Sequence, residues 1–171
     1  MKRLYSILIV IVALFVFAPL ADAKPPFWDD QVNNTGRFKV LSEFGNAAVF
    51  DKEAGLVWEQ SPNGVDERTW ANARAHCANK NVGGRKWWRL SSFAELASLV
   101  DPNNPGGNPD LPPGHPFDNV QSSDYWSATT SAGDTSNAWG VGFSSGTVNA
   151  VVKSLDFFVW CVRGGMNADA Y

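Results

Sequence analysis

The side chains of this 171-residue chain best suited to chemistry are a serine in a Gly-x-Ser-x-Gly run, two histidines, two cysteines, and a loop dense in carboxylates and amides. Gly142-Phe143-Ser144-Ser145-Gly146 matches the nucleophile elbow of α/β-hydrolases. That chemistry needs a strand-to-helix turn, a histidine base and an oxyanion hole. The residues that follow, Thr147 to Val152, favour a strand, so the run is expected to form a hairpin turn instead. The two histidines, His76 beside Cys77 and His115 in a proline-rich stretch, stand in no catalytic pattern. The chain reads as a non-enzymatic protein.

Asp101, Asp110, Asp118 and Asp124, with Asn103, Asn104 and Asn108, offer the oxygen ligands that calcium requires, at no spacing that matches an EF-hand. The plainer reading is a solvated loop in which Asp and Asn make turns. No metal and no cofactor is expected, with calcium at Asp101, Asp110 and Asp118 as the alternative. Arg85, Lys86 and Arg89 form the densest basic cluster, beside Trp87 and Trp88. A solvated surface is the ordinary meaning of such a cluster, and contact with a small anion or acidic glycan is the functional one. The binding candidates are therefore Asp101, Asn103, Asn104, Asp110, Asp118 and Asp124 in the loop, and Arg85, Lys86 and Trp87 in the basic aromatic segment.

Eight tryptophans invite sugar stacking, since aromatic faces pack on the apolar side of pyranose rings. Most have a structural role first. Trp58, Trp70, Trp126, Trp139 and Trp160 fall at core positions of helices and strands. Trp87 and Trp88 are adjacent, so at most one points inward if the segment is extended. Trp28 is the other candidate for exposure.

Lys2 and Arg3, the apolar run Ile7 to Ala18 and the small residues of Ala21-Asp22-Ala23 read as a secretory signal peptide cleaved after Ala23. An uncleaved anchor is the alternative, disfavoured by Pro19 and by the lack of a basic stop-transfer cluster. The expected organisation is a signal peptide at 1–23, an irregular lead-in with a short strand at 24–45, one domain at 46–165 and a tail at 166–171. The destination is the periplasm, the cell surface or the medium. Removing Lys2, Arg3 and Asp22 from 14 basic and 17 acidic residues leaves 12 and 16, a net charge near −4. Nucleic acid, bound mainly through phosphate neutralisation, is excluded on that ground. Membrane contact is expected only through the signal peptide before cleavage. In an oxidising compartment the simplest assignment for Cys77 and Cys161 is one disulfide, with a reactive thiol as the alternative.

These residues need a scaffold, and its elements are legible in outline. Arg37 to Leu41 reads as a short strand, and Ala47 to Phe50 pairs with Leu56 to Trp58 across a turn. Thr69 is placed to cap a helix from Trp70 to about Asn81, with Trp70, Ala73 and Cys77 on one face and Gly83-Gly84 after it. Ser92 and Glu95 form a capping box ahead of Leu96, Leu99 and Val100. From Asp101 to Asp124, six prolines and three glycines predict a long irregular loop. Strands follow at Tyr125 to Thr129, Trp139 to Phe143 and Thr147 to Lys153. Phe157 to Arg163, apolar on both faces, reads as a central strand carrying Cys161.

Six segments in this order resemble the bacterial Lcl C-terminal domain family: Gly55-Leu56-Val57-Trp58-Glu59, Thr69-Trp70-Ala71 with Cys77, Trp88-Arg89-Leu90-Ser91-Ser92 with Glu95-Leu96, Tyr125-Trp126-Ser127-Ala128-Thr129, Ala138-Trp139 through Phe143, and Cys161-Val162-Arg163-Gly164. The resemblance spans about Ala47 to Gly165. It implies an α+β, C-type-lectin-like fold related to formylglycine-generating domains: two helices on a small twisted, mainly antiparallel sheet, with a long irregular loop region. It also implies a disulfide from the first helix to the last strand, in agreement with the pairing of Cys77 and Cys161. That bond would remove the thiols an oxidative enzyme of the formylglycine-generating kind needs. The Glu-Pro-Asn, Gln-Pro-Asp and Trp-Asn-Asp signatures of calcium-dependent sugar-binding lectins are absent from the sequence, and Asp101-Pro102-Asn103 shares only their chemistry. The family's collagen-like adhesin implies a sulfated glycosaminoglycan ligand held by basic surface, which is not carried over to an acidic chain without a collagen repeat. The expected function is an exported binding domain for a glycan or an envelope or cell-surface macromolecule. The alternative is a structural or assembly module of a bacterial envelope complex with no small ligand.

Overall fold

The computed structural model describes residues 34–62, 66–101, 103 and 108–164. The expected signal peptide, Trp28 and the first part of the lead-in, the candidate Asn104 and the tail lie outside the described residues.

After a single helical turn, α1 (Asn34–Arg37), the chain forms β1 (Phe38–Val40), a 3-10 turn at Ser42–Phe44, and the hairpin β2 (Ala48–Asp51) and β3 (Leu56–Glu59). The hairpin register pairs Val49 with Trp58 and Asp51 with Leu56. Asp51 is fully buried, and Arg37 neutralises it with bonds of 3.0 and 2.7 Å to its two carboxylate oxygens. The first helix, α2 (Trp70–Ala78), turns Ala73 and Cys77 inward as their spacing predicts. It ends short of Asn81, and Thr69 makes no side-chain cap. The first N–H of the helix, that of Trp70, donates to the Lys153 carbonyl at 3.2 Å, a tertiary partner no local pattern reveals. The second helix, α3 (Phe93–Ala97), has both bonds of the expected capping box: Glu95 N–H to Ser92 Oγ at 3.2 Å and Ser92 N–H to Glu95 Oε2 at 2.8 Å.

The remaining strands are β4 (Arg89–Leu90), β5 (Asp124–Thr130), β6 (Asn137–Gly142), β7 (Val148–Val152) and β8 (Cys161–Arg163). They complete two antiparallel sheets rather than the single sheet expected, in the orders β1-β2-β3-β8-β4 and β5-β6-β7. The run Phe157 to Arg163 causes the division. Phe157 bridges Arg68, Phe158 bridges Tyr125 in parallel, and only Cys161–Arg163 enters the first sheet, between β3 and β4. Among the described residues the structure is thus α+β, with two helices besides the single turn of α1, and antiparallel sheets.

The core forms around Trp160, whose ring lies 5.6 Å from Trp58, 4.9 Å from Phe117 and 5.6 Å from Phe143, centroid to centroid. Trp58, Trp126 and Trp160 are fully buried, while Trp70 and Trp139 are half-buried. Leu111 and Phe117 of the proline-rich loop are also core residues, so that segment is anchored more firmly than a solvated loop. Cys77 and Cys161 are bonded, with 5.4 Å between their Cα atoms, and both are buried. Beside the bond, Glu59 accepts the Cys161 N–H at 3.0 Å and pairs with Lys80. Burial pushes the Glu59 pKa up against the opposing pull of Lys80. Among the described residues no helix is long and apolar enough to cross a membrane.

Candidate functional site

The segment between α2 and β4 is a tight reversal. Val82 and Arg85 exchange both backbone hydrogen bonds, at 3.1 and 3.0 Å, around Gly83 and Gly84, whose φ angles are +56° and +74°. Gly83 rests on the backbone of Phe44: a Cβ there would lie 2.3 Å from the Phe44 carbonyl oxygen. The reversal is therefore pinned to the 3-10 turn by a contact that excludes any side chain.

Its far side is pinned by Trp88, which is 3 % exposed, meets Phe44 edge-on and donates its indole N–H to the Arg85 carbonyl at 2.8 Å. Trp87, between these anchors, takes φ +70° and is 84 % exposed. The expectation that at most one of the pair points inward holds. A positive φ is costly for a bulky residue, and the fixed geometry on either side imposes it.

Arg85 and Lys86 are exposed beside Trp87, with the Arg85 guanidinium 5.8 Å from the Phe44 ring centroid. Arg163, at the end of β8, donates its Nε–H to the Lys86 carbonyl at 3.0 Å and adds a third cation. Sequence reasoning left Arg163 out of the site, because the pairing of β4 with β8, which sets Arg89 opposite Val162, brings it beside a residue 77 positions away. Arg89 is not available to a ligand. It holds Glu95 in two bonds of 2.8 and 2.6 Å and bonds the Gly164 carbonyl at 2.8 Å. Burial alone raises the Glu95 pKa, but the bonds from Arg89 and Ser92 outweigh it and leave the carboxyl below its ordinary value. A closed backbone reversal, one projecting indole and neighbouring cations suit recognition of a flat, partly apolar and polar ligand.

The loop candidates do not converge in the same way. Asp101 N–H bonds the Asp110 carbonyl at 3.1 Å, Asn103 N–H bonds Asp101 Oδ1 at 2.9 Å, and Asp110 N–H bonds the Phe143 carbonyl at 2.7 Å. Asp110 is buried, with Oδ1 lacking a hydrogen-bond partner, and is not a solvated turn residue. Asp118 belongs to a different contact, accepting from Gln60 Nε2 while its own N–H bonds the Gln60 carbonyl at 2.9 Å. Asp124 is exposed at the start of β5. Among the described residues no three His, Cys, Asp or Glu side chains are grouped to hold a metal ion.

Gly142 to Gly146 is a hairpin turn, as the strand-like residues after it predict. Gly142 N–H bonds the Thr147 carbonyl at 2.8 Å, and Gly146 N–H bonds the Gly142 carbonyl at 2.9 Å. The turn leads into β7, not into a helix.

No curated protein matches the chain. The Arg89–Glu95 clasp, the Cys77–Cys161 bond and the turn carrying Trp87 all fall within residues 47–163, which match the family model described as the Lcl C-terminal domain, and the chain belongs to that family.

Proposed function

We propose that this protein is an exported, non-enzymatic binding domain of C-type-lectin-like fold that recognises a glycan or an envelope or cell-surface macromolecule through the Arg85-Lys86-Trp87 turn. The observation that carries the reading is the placement of Trp87, 84 % exposed at positive φ between two immobilised neighbours. An indole in water next to cations brings no benefit to folding, whereas a ring presented rigidly to a ligand loses little entropy on binding. The bonded cysteines and the hairpin role of Gly142 to Gly146 support the non-enzymatic part of the reading. The leader sequence supports export.

A glycan array probed with the purified protein, with and without EDTA, tests this. Binding to a defined set of glycans is expected, lost in Trp87→Ala and retained in EDTA. Uniformly null binding, with a stable partner recovered from envelope extracts, would establish the assembly-module alternative instead.

A further inference from the structure

The turn that presents Trp87 lies between two segments that meet at one residue of β8. On its upstream side Cys77, in the last turn of α2, is bonded to Cys161, with 5.4 Å between their Cα atoms. On its downstream side Leu90 of β4 pairs with the same Cys161, and Arg89 pairs with Val162. Within the turn, the Lys86 carbonyl accepts the Arg163 Nε–H at 3.0 Å. Three consecutive residues of β8 therefore hold the chain before, within and after the reversal.

These holds differ in kind. The β4 pairing covers two residues and Arg163 makes one bond at the rim, so each can open locally at small cost. Lys80, just past the end of α2, pairs with Glu59, and Glu59 Oε2 accepts the Cys161 N–H at 3.0 Å, so this second link from α2 also leads to Cys161. The sulfur bridge is the one covalent cross-link, and it sets the distance between the end of α2 and β8 that the turn has to span. Trp87 sits at the tip with φ +70°, a conformation its neighbours impose. A shift of either stem is passed directly to that tip, and looseness of about 1 Å in a supporting shell is enough to spoil a site.

We propose, on the reading of the Arg85-Lys86-Trp87 turn as the binding site, that Cys77 and Cys161 are positioning residues for Trp87, so that the protein acquires ligand binding when their bond forms. Neither cysteine touches the ligand; both act through the turn. Bond formation takes two electrons and two protons from the two thiols, and thiol–disulfide exchange with an oxidising disulfide balances both. The first cysteine thiolate displaces one sulfur of the oxidant, the second cysteine thiolate then displaces the mixed disulfide, and the oxidant leaves as a dithiol. The chain without the bond keeps its aromatic core and sheets but presents Trp87 over a wider range of positions. Binding then carries the entropy of ordering the turn, which the bonded protein has already lost on folding. Recognition is thereby restricted to molecules that have met an oxidant.

Hydrogen exchange without denaturant, on the wild type and on Cys77→Ala with Cys161→Ala, tests this, with the glycan array as the binding probe. The amides of Val82 and Arg85 and the indole N–H of Trp88 have their acceptors inside the turn, so they report its local opening. Each is expected to exchange at least about tenfold faster in the variant, and binding to the array should weaken by at least about tenfold. A bond that stabilises only by constraining the unfolded chain leaves these local openings unchanged, while it speeds exchange in β5 and β6, which follows global unfolding. That pattern overturns the proposal, as does a variant that fails to fold or one that binds like the wild type. A wild type that binds no glycan on the array defeats the ligand reading, and the exchange comparison still decides whether the bond positions the turn.

Discussion

Trp88 donates its indole N–H to the carbonyl of Arg85 at 2.8 Å, three residues back along the chain, and this bond closes the loop from which Trp87 projects. One tryptophan is consumed as an anchor so that its neighbour is held in water at a fixed angle. Of two adjacent residues of the same type, one is buried and the other is exposed.

Substitutions at the two positions should therefore part company. Trp88→Ala removes a buried ring and is expected to cost about 3 to 5 kcal/mol by urea denaturation. Trp87→Ala should stay within about 0.5 kcal/mol of the wild type while abolishing glycan binding. Loss of comparable stability in both variants would show that Trp87 is structural.

The glycines behind that turn make a second pair. Gly83→Ala drives a Cβ into the Phe44 backbone, whereas at Gly84 nothing lies within 4 Å. Both have positive φ, so both variants lose about 1 kcal/mol of conformational preference. Gly83→Ala should lose about 1 to 3 kcal/mol more from overpacking, and should weaken ligand binding because Trp87 is displaced. Thermal denaturation and binding titration of the two variants give the comparison.

The Cys77–Cys161 bond closes a long loop and lies in the core, where it joins α2 to the central strand. The native protein should show no titratable thiol, and should resist reductant until it unfolds. Cys77→Ser with Cys161→Ser is expected to lower stability by about 2 to 5 kcal/mol in denaturant. Wild-type stability unchanged by reductant in denaturant would contradict this.

Acid sensitivity should trace in part to Glu95 and His76. Glu95 has a lowered folded pKa, so it contributes stability present above about pH 4.5 and lost as pH falls through its folded value. The His76 pKa is lowered to about 4, first by burial and then by the charges of Lys80 and Arg68, against the opposing effect of Asp66. His76 Nε2 is buried without a hydrogen-bond partner. The stability linked to its neutral ring is fully present above pH 6.5 and declines as pH falls toward about 4. Denaturation midpoints measured across this range should fall less steeply in His76→Gln between pH 6.5 and 4, and less steeply in Glu95→Gln below pH 4.5. Ring resonances of His76 should show no protonation above pH 5.

Local patterns identified much of the fold because their determinants sit within a few residues of one another. The Ser92–Glu95 capping box spans one helical turn, the β2–β3 hairpin is set by Asp51 to Gly55, and the turn after Phe143 follows from two glycines ahead of a strand-forming run. The failures are equally specific. Thr69 sits at the N-cap of α2 but its side chain makes no cap bond, and the first helical N–H, that of Trp70, is satisfied by the distant Lys153 carbonyl. Asp110 resembled a turn residue, but Leu111 draws its segment into the core beside Phe143.

By itself the sequence determined the order of most elements, the two cysteines available to bond and the membership implied by six spaced motifs, since each depends on residue type and short-range spacing. The tertiary structure alone decided that Phe157 to Arg163 serves two sheets, that Arg163 reaches Lys86, and which of two adjacent tryptophans faces water. Those outcomes depend on backbone hydrogen bonds and close packing between segments far apart in the chain, where residue type sets what a side chain can do and the surrounding contacts set where it points.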